Sequence, residues 1–334
     1  MALIVLKFGG TSLANTKLMN NAVTKVLEEI ASGHKVIVVV SAMAGITDHL
    51  VSLTNEISSC SSIDGAFEHA NVVTTGEQVS AGLFALLLQQ KDIKARSWLG
   101  WQAGIITDDN VAAGEIVKLQ CEQLEASFAN GYQVAVVTGF QGVTESGRIT
   151  TLGRGGSDTT AIILAGALKA QRCDIYTDVE GVFTADPRIV AKAQKLKSLN
   201  YDEMIEFADA GAKVLQTKSV KWAKHYQVCL RVLSSFTSNV GTLINNSSAS
   251  YSIVGIALSK DVHNSENARI SIIGAGLKDE NLIKNLQQIL KDNSVEILSI
   301  QNGLMSINFI IKDEDKFNAI RYLHTACKLD EGYE

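Results

Sequence analysis

The chain has 334 residues, 46% hydrophobic and 19% charged, which supplies apolar material for two domains with sizeable cores and excludes a disordered chain. A formal net charge of −5 argues against broad binding to nucleic acid or to an anionic membrane. An anionic ligand therefore has to be drawn by a local cluster, with Lys7, Arg148, Arg154, Arg188 and Lys213 as the candidate cations.

Taken in chain order, Leu3 to Phe8 is an apolar run of strand length that ends in Gly9, Gly10, Thr11 and Ser12. Thr16 to Ser32 has apolar residues at three- and four-residue steps and predicts an amphipathic helix stopped by Gly33. Val36 to Met43 reads as a strand covered on both faces. Further strands are expected at 95–98, 134–140, 173–177 and 228–234, with helices at 67–89, 114–129, 158–170, 201–208 and 213–225. This alternation predicts a layered α/β domain with ligand loops at the carboxyl ends of its strands.

After Asn245 the rhythm changes. Asn245 to Ser250 is a polar cluster of linker character. Strands are expected at 252–258, 268–274, 295–300 and 304–311, with a polar loop at 261–267 and helices at 280–292 and 315–326. Two helices on one antiparallel sheet make a small α+β sandwich. The expected domains are 1–245 and 251–330.

Five cysteines (Cys60, Cys121, Cys173, Cys229 and Cys327) lie far apart, with no CxxC pair and no histidine at metal-ligand spacing. They read as core residues or free thiols of a reducing compartment. The N-terminal apolar run is short for a signal peptide and no window is apolar enough to span a bilayer, so a cytoplasmic protein is expected.

The chemistry concentrates in two glycine loops. Thr151 to Thr160 places three glycines, Arg154, Asp158 and four hydroxyls where a helix begins, a composition suited to phosphate or carboxylate. Lys7 is the last polar group of an otherwise apolar strand, beside a diglycine whose N–H groups can approach an anion. No GxxxxGK[ST] loop, HRD or DFG set or clean GxGxxG fingerprint is present, which removes P-loop enzymes, protein kinases and dinucleotide oxidoreductases.

Read together, KFGGTS (7–12), VSAMAGIT (40–47), TTGE (74–77), LGRGGSD (152–158), YTDVEGVFTADPR (176–188) and GAKVLQTKSV (211–220) closely resemble the aspartokinases of the amino-acid kinase family. The resemblance runs from Ala2 to about Ile244 and implies a three-layer αβα sandwich around a mainly parallel eight-stranded sheet. It also implies transfer of the ATP γ-phosphoryl group to the side-chain carboxylate of L-aspartate, with Mg²⁺, at the head of lysine, threonine, methionine and diaminopimelate synthesis. By that resemblance Lys7 and Asp158 are catalytic, and Ser41, Thr47, Glu77, Arg154 and Ser157 hold aspartate. Lys7, Phe8, Gly9, Gly10, Thr11, Ser12, Thr177, Asp178, Phe183, Arg188 and Lys213 would serve the nucleotide. Plainer roles stand beside these: Ser41 and Thr47 as caps, and Glu77 as a first-turn acid serving a helix dipole. A related kinase acting on N-acetylglutamate and a sensor without turnover are the rival functions.

The end of the chain departs from the family pattern. Aspartokinases usually carry two ferredoxin-like ACT modules, one inserted into the other. Here a strand, the short loop at 261–267 and the rest of one module look like the discontinuous module without its guest. The expectations are weak or absent inhibition by lysine and threonine, and a homodimer through the ACT module.

Overall fold

The computed structural model describes residues 2–246, 252–262, 264–277 and 279–331. Ser247 to Ser250 of the expected linker, and His263 of the expected loop, lie outside the described residues. The chain divides into two compact units, 1–179 with 222–240, and 180–221 with 241–334. The boundary read at 245 followed motif order, whereas packing assigns 180–221 to the second unit.

The first unit is built on six parallel strands in the order Leu230–Ser234, Arg172–Thr177, Leu3–Phe8, Lys35–Val40, Val134–Thr138 and Ala95–Trp98. The central runs are aliphatic on both faces and fully buried, as expected of parallel strands under helices. Helix Thr16–Ala31 starts where Asn15 accepts the Leu18 N–H at 3.0 Å, and it buries Met19, Val23 and Val26 against Ile4, Leu6 and Phe8. Lys7 stands opposite Val39 on one side and Ile175 on the other, so three adjacent strands end level with one another. Their exits are Gly9, Ser41 and Asp178.

Two expected helices are corrected. The helix read at 67–89 is two, Ile63–Val73 and Thr75–Gln89, because the chain turns at Thr74, whose hydroxyl donates to Ala70 O at 2.8 Å. The helix read at 114–129 begins only at Glu122; Ile116–Leu119 is a strand. It pairs antiparallel with Ile105–Thr107 in a second sheet, completed by Gln141–Thr144 and Ile149–Thr151. The alternation Ile116, Val117, Lys118, Leu119 satisfies a strand as well as a helix, and partner strands decide between them.

In the second unit, Ser198–Leu199 and Thr242–Ile244 pair in parallel. Its other sheet is antiparallel, in the order Gly255–Lys260, Asn267–Ile273, Ser306–Lys312 and Ile297–Asn302, with helices Glu280–Asp292 and Lys316–Ala326. From Asn267 the succession strand, helix, strand, strand, helix is that of a ferredoxin-like sandwich, and Gly255–Lys260 takes the edge place of its last strand. The expected ACT-like sandwich is present. Its core of Ile270, Ile272, Phe309, Ile320 and Leu323 also includes Ala185 and Val190, from a segment folded back on itself by Thr184 N–H to Gln194 O and Leu196 N–H to Val182 O.

Candidate active site

The carboxyl ends of the parallel strands open on a pocket of about 370 Å³, whose lining includes Lys7, Ser41, Thr47, Glu77, Arg154, Ser157 and Asp158. Residues separated by up to 151 positions thus meet, all within the first unit. Lys7 Nζ lies 2.7 Å from Asp158 Oδ1, and both side chains are nearly buried. A buried ammonium needs a counter-charge, and Asp158 supplies it from the first turn of helix Gly156–Ala167. Gly9 is immediately adjacent: a Cβ there would sit 3.6 Å from Lys7 Nζ.

Two helices begin at this pocket, Ile46–Ile57 and Gly156–Ala167, and both start from a glycine in the left-handed region, Gly45 at φ +79° and Gly155 at φ +74°. Neither has a side-chain N-cap, so the positive ends of both dipoles face the pocket without a capping oxygen. Close backbone approach supports this geometry. A Cβ on Gly10 would come within 2.8 Å of Ala42 O, and one on Gly139 within 2.5 Å of Ser157 Oγ. Arg154 is exposed on the loop between strand and helix, where its guanidinium can meet a carboxylate as a fork.

Glu77 supplies the opposite sign. It is 3% exposed in the first turn of helix Thr75–Gln89, and its Oε1 accepts the Ala42 N–H at 3.0 Å. Its Oε2 is buried with no hydrogen-bond partner among the described residues. Burial pushes the carboxyl up from 4.5 to about 7, with the Ala42 N–H opposing the rise. A cationic group bound in the pocket would relieve both the orphaned oxygen and the desolvated charge.

The remaining expected residues are placed differently. The Phe8 ring is fully buried and stacks on Tyr176 at 4.9 Å and Phe84 at 5.8 Å. The ring is therefore a core side chain, and the Phe8 backbone is the part near the pocket, through Ser41 N–H to Phe8 O at 3.1 Å. Thr11 is exposed in the short 3-10 turn Gly10–Leu13, while Ser12 is buried and its hydroxyl bonds that of Ser235. Thr177 donates to Asp178 at 3.1 Å, just beyond the end of its strand. Phe183, Arg188 and Lys213 belong to the second unit. There Arg188 grips Asp186 with Nε at 3.0 Å from Oδ1 and a terminal nitrogen at 2.7 Å from Oδ2, and the Asp186 carboxyl is held below its ordinary value by Arg188 and, more weakly, by Lys213.

Sequence reasoning passed over Phe140. Phe140 lines the pocket at φ +69°, a conformation rare for a bulky residue, and its carbonyl accepts the Leu152 N–H at 2.8 Å. Its only signal was a glycine before it at a strand end. Among the described residues no group of three or more His, Cys, Asp or Glu side chains is placed to hold a metal. No helix among the described residues is long and apolar enough to cross a membrane.

The amino acid kinase family model matches residues 2–234. An aspartokinase of Rickettsia felis is 45% identical over 310 residues, covering 92% of this chain and 72% of its own length. One of Geobacillus stearothermophilus is 41% identical over 345 residues, covering 100% and 82% respectively. The structure of E. coli aspartokinase III in complex with aspartate and ADP superposes with a TM-score of 0.83 at 24% identity, over 97% of this chain and 99% of that one, a likeness of fold. The chain belongs to the aspartokinases, within the amino-acid kinase family.

Proposed function

We propose that the pocket holds L-aspartate beside ATP, and that the chain transfers the γ-phosphoryl group to the β-carboxylate, giving 4-phospho-L-aspartate and ADP. The observation that carries this reading is one pocket lined by a cation, two carboxylates of different environment and an exposed arginine: Lys7, Asp158, Glu77 and Arg154. Aspartate offers two carboxylates and one ammonium. Arg154 and the two uncapped helix starts suit the carboxylates, with Ser41, Thr47 and Ser157 as neutral partners. Glu77, with an orphaned oxygen, suits the ammonium.

A carboxylate oxygen of aspartate attacks the γ-phosphorus, the bond from phosphorus to the β,γ-bridging oxygen breaks, and ADP leaves with that electron pair. No proton transfer is required, so the chain's work is to align two anions and neutralise the phosphoryl oxygens. Lys7 does the latter, held on target by Asp158, and the Gly10 N–H is the glycine donor we assign to a phosphate oxygen, since the Gly9 N–H is given to Tyr176 O at 3.2 Å. Mg²⁺ adds charge neutralisation when bound with the nucleotide. Thr11, Ser12, Thr177 and Asp178 are the nucleotide-side candidates of the first unit, and Phe183, Arg188 and Lys213 those of the second. We also propose a homodimer through the ACT-like sandwich and a cytoplasmic setting, in keeping with five free cysteines.

A coupled ADP-release assay across aspartate, glutamate and N-acetylglutamate tests the reading. Turnover with aspartate at least a hundredfold above the others is expected, since an acylated nitrogen has no use for Glu77. Preference for N-acetylglutamate would overturn it.

A further inference from the structure

Gln141 is a buried amide of the first unit that the transfer reaction does not touch. It is 1% exposed at the start of strand Gln141–Thr144 and is not among the residues lining the pocket. Its Nε2 donates to Thr74 O at 3.1 Å. Thr74 is where helix Ile63–Val73 turns into helix Thr75–Gln89, so this bond fastens the strand to the first turn of the helix that carries Glu77. Crowding fixes the amide: a Cβ on Gly100 would come within 2.9 Å of Gln141 Cγ and 2.5 Å of its carbonyl oxygen. Glu77 is held in addition by the Ala42 N–H, and Gly76 packs so close that a Cβ there would lie 2.8 Å from Ala42 Cβ. The helix start is thus held by Ala42 and by Gln141.

The same residue begins the hairpin that leads to Arg154. Gln141 stands opposite Thr151 in the antiparallel pairing with strand Ile149–Thr151, and next to that pair the Leu152 N–H donates to Phe140 O at 2.8 Å. The Thr151 hydroxyl donates to Ala112 O at 2.7 Å, which pins the end of the strand. After Leu152 the chain turns through Gly153 at φ +72° and presents Arg154 to the pocket. A single amide therefore ties the hairpin that presents the arginine to the turn that presents the glutamate.

We infer that Gln141 is a positioning residue for aspartate: it fixes the spacing between Arg154 and Glu77, the two groups of opposite charge that meet a carboxylate and the ammonium of the substrate. This role rests on the reading that those two residues hold aspartate. The α-carboxylate and the ammonium hang on one carbon, so a substrate gripped at both tolerates little change in the distance between the grips. ATP makes no use of that distance. Neither does a ligand held by one grip alone.

The test is steady-state kinetics of the full chain in Gln141→Met, Glu77→Gln, Arg154→Lys and the double variant Gln141→Met with Glu77→Gln, with circular dichroism as the check on folding. Gln141→Met keeps the length of the side chain and removes the donor. Working at about pH 8, where Glu77 is ionised, its KM for aspartate rises about fivefold, with kcat and the KM for ATP within about twofold. Competitive inhibition by succinate, which is aspartate without its ammonium group, uses one grip, and its Ki stays near the parent value. Adding Gln141→Met to Glu77→Gln costs little more than Glu77→Gln alone, because spacing matters only while both grips act. Equal losses for aspartate, succinate and ATP, or full additivity in the double variant, mean a merely structural contact and overturn the inference. An unchanged KM for aspartate in Gln141→Met, with a raised one in Glu77→Gln, also overturns it and leaves the aspartate reading standing. An unchanged KM for aspartate in both Glu77→Gln and Arg154→Lys overturns the aspartate reading itself. If Gln141→Met fails to fold, Gln141→Asn, whose amide stops one methylene short of Thr74 O, decides in its place.

Discussion

The parallel sheet carries two buried charge clusters one residue apart, and they differ in whether their hydrogen-bonding capacity is full. Asp174 is fully buried and takes Arg172 Nε at 3.1 Å and Arg231 Nε at 2.7 Å, while Arg172 turns its other end to Glu29. Lys7, opposite Ile175 and so on the other face of the sheet, has Asp158 as counter-ion but borders open space. The same pocket holds Glu77 with an oxygen unpaired. In the first cluster both Asp174 oxygens are taken by arginine, and Glu29 ties the strands to a helix. The unsaturated one stores uncompensated charge that a substrate can complete, which is how an active site differs from structural ion pairing in one fold.

Disabling one member of each cluster tests the contrast most sharply. Lys7→Ala should lower kcat by roughly two to three powers of ten, by analogy with loss of one oxyanion donor, with a smaller loss of stability than in the Asp174 cluster because the Asp158 it leaves unpaired borders the open pocket. Asp174→Asn should do the reverse, lowering stability by about 3 kcal/mol with kcat of the folded protein near normal, because Arg172 and Arg231 lose their buried anion. Denaturant titrations and single-substrate kinetics read both. A Lys7→Ala protein that turns over normally, or an Asp174→Asn protein that is stable and inactive, would reverse the assignment of the clusters.

The pH dependence of Glu77 is the next largest effect. Its carboxyl titrates near 7 in the folded chain against 4.5 unperturbed, so the folded state takes up the extra proton. Free enzyme should therefore lose stability as pH rises from about 4.5 through 7, by on the order of 3 kcal/mol from this group, and Glu77→Gln should flatten that slope. Aspartate binding has the opposite sign, since only ionised Glu77 pairs with ammonium. The KM for aspartate should rise roughly tenfold by one pH unit below 7, and Glu77→Gln should abolish the dependence. A pH-independent KM in the parent protein would contradict the role.

Arg154→Lys should raise the KM for aspartate about fivefold and leave that for ATP unchanged, since the fork is lost and the charge kept. Smallest of all is the effect expected of feedback amino acids. Among the described residues the region after 245 forms one ferredoxin-like sheet, so lysine or threonine at a few millimolar should leave aspartyl-hydroxamate formation nearly unchanged. Strong inhibition below about a millimolar would show that a single sandwich suffices for an effector.

Much of the site was legible because its chemistry is local. Glycine-rich turns at strand ends, a lysine closing an apolar strand and an arginine before a helix are read directly from neighbouring residues, and 280–292 was placed as the helix it is. Ile116–Leu119 was not, because four residues that satisfy both periodicities fit a strand and a helix equally until a partner strand is known. Phe8 was assigned to ligand by its place in KFGG, yet its side chain alternates to the opposite face from Lys7 and enters the core.

The amino-acid order alone determined the alternating architecture, the change of rhythm after Asn245 and the inventory of charged groups, because these depend on periodicity and on residue type. Tertiary structure decided which groups share a pocket, which carboxylate is saturated and which is orphaned, and that residues 182–196 fold into the C-terminal sandwich. Burial and pairing depend on what a side chain meets across a hundred residues or more, and no local pattern encodes that meeting.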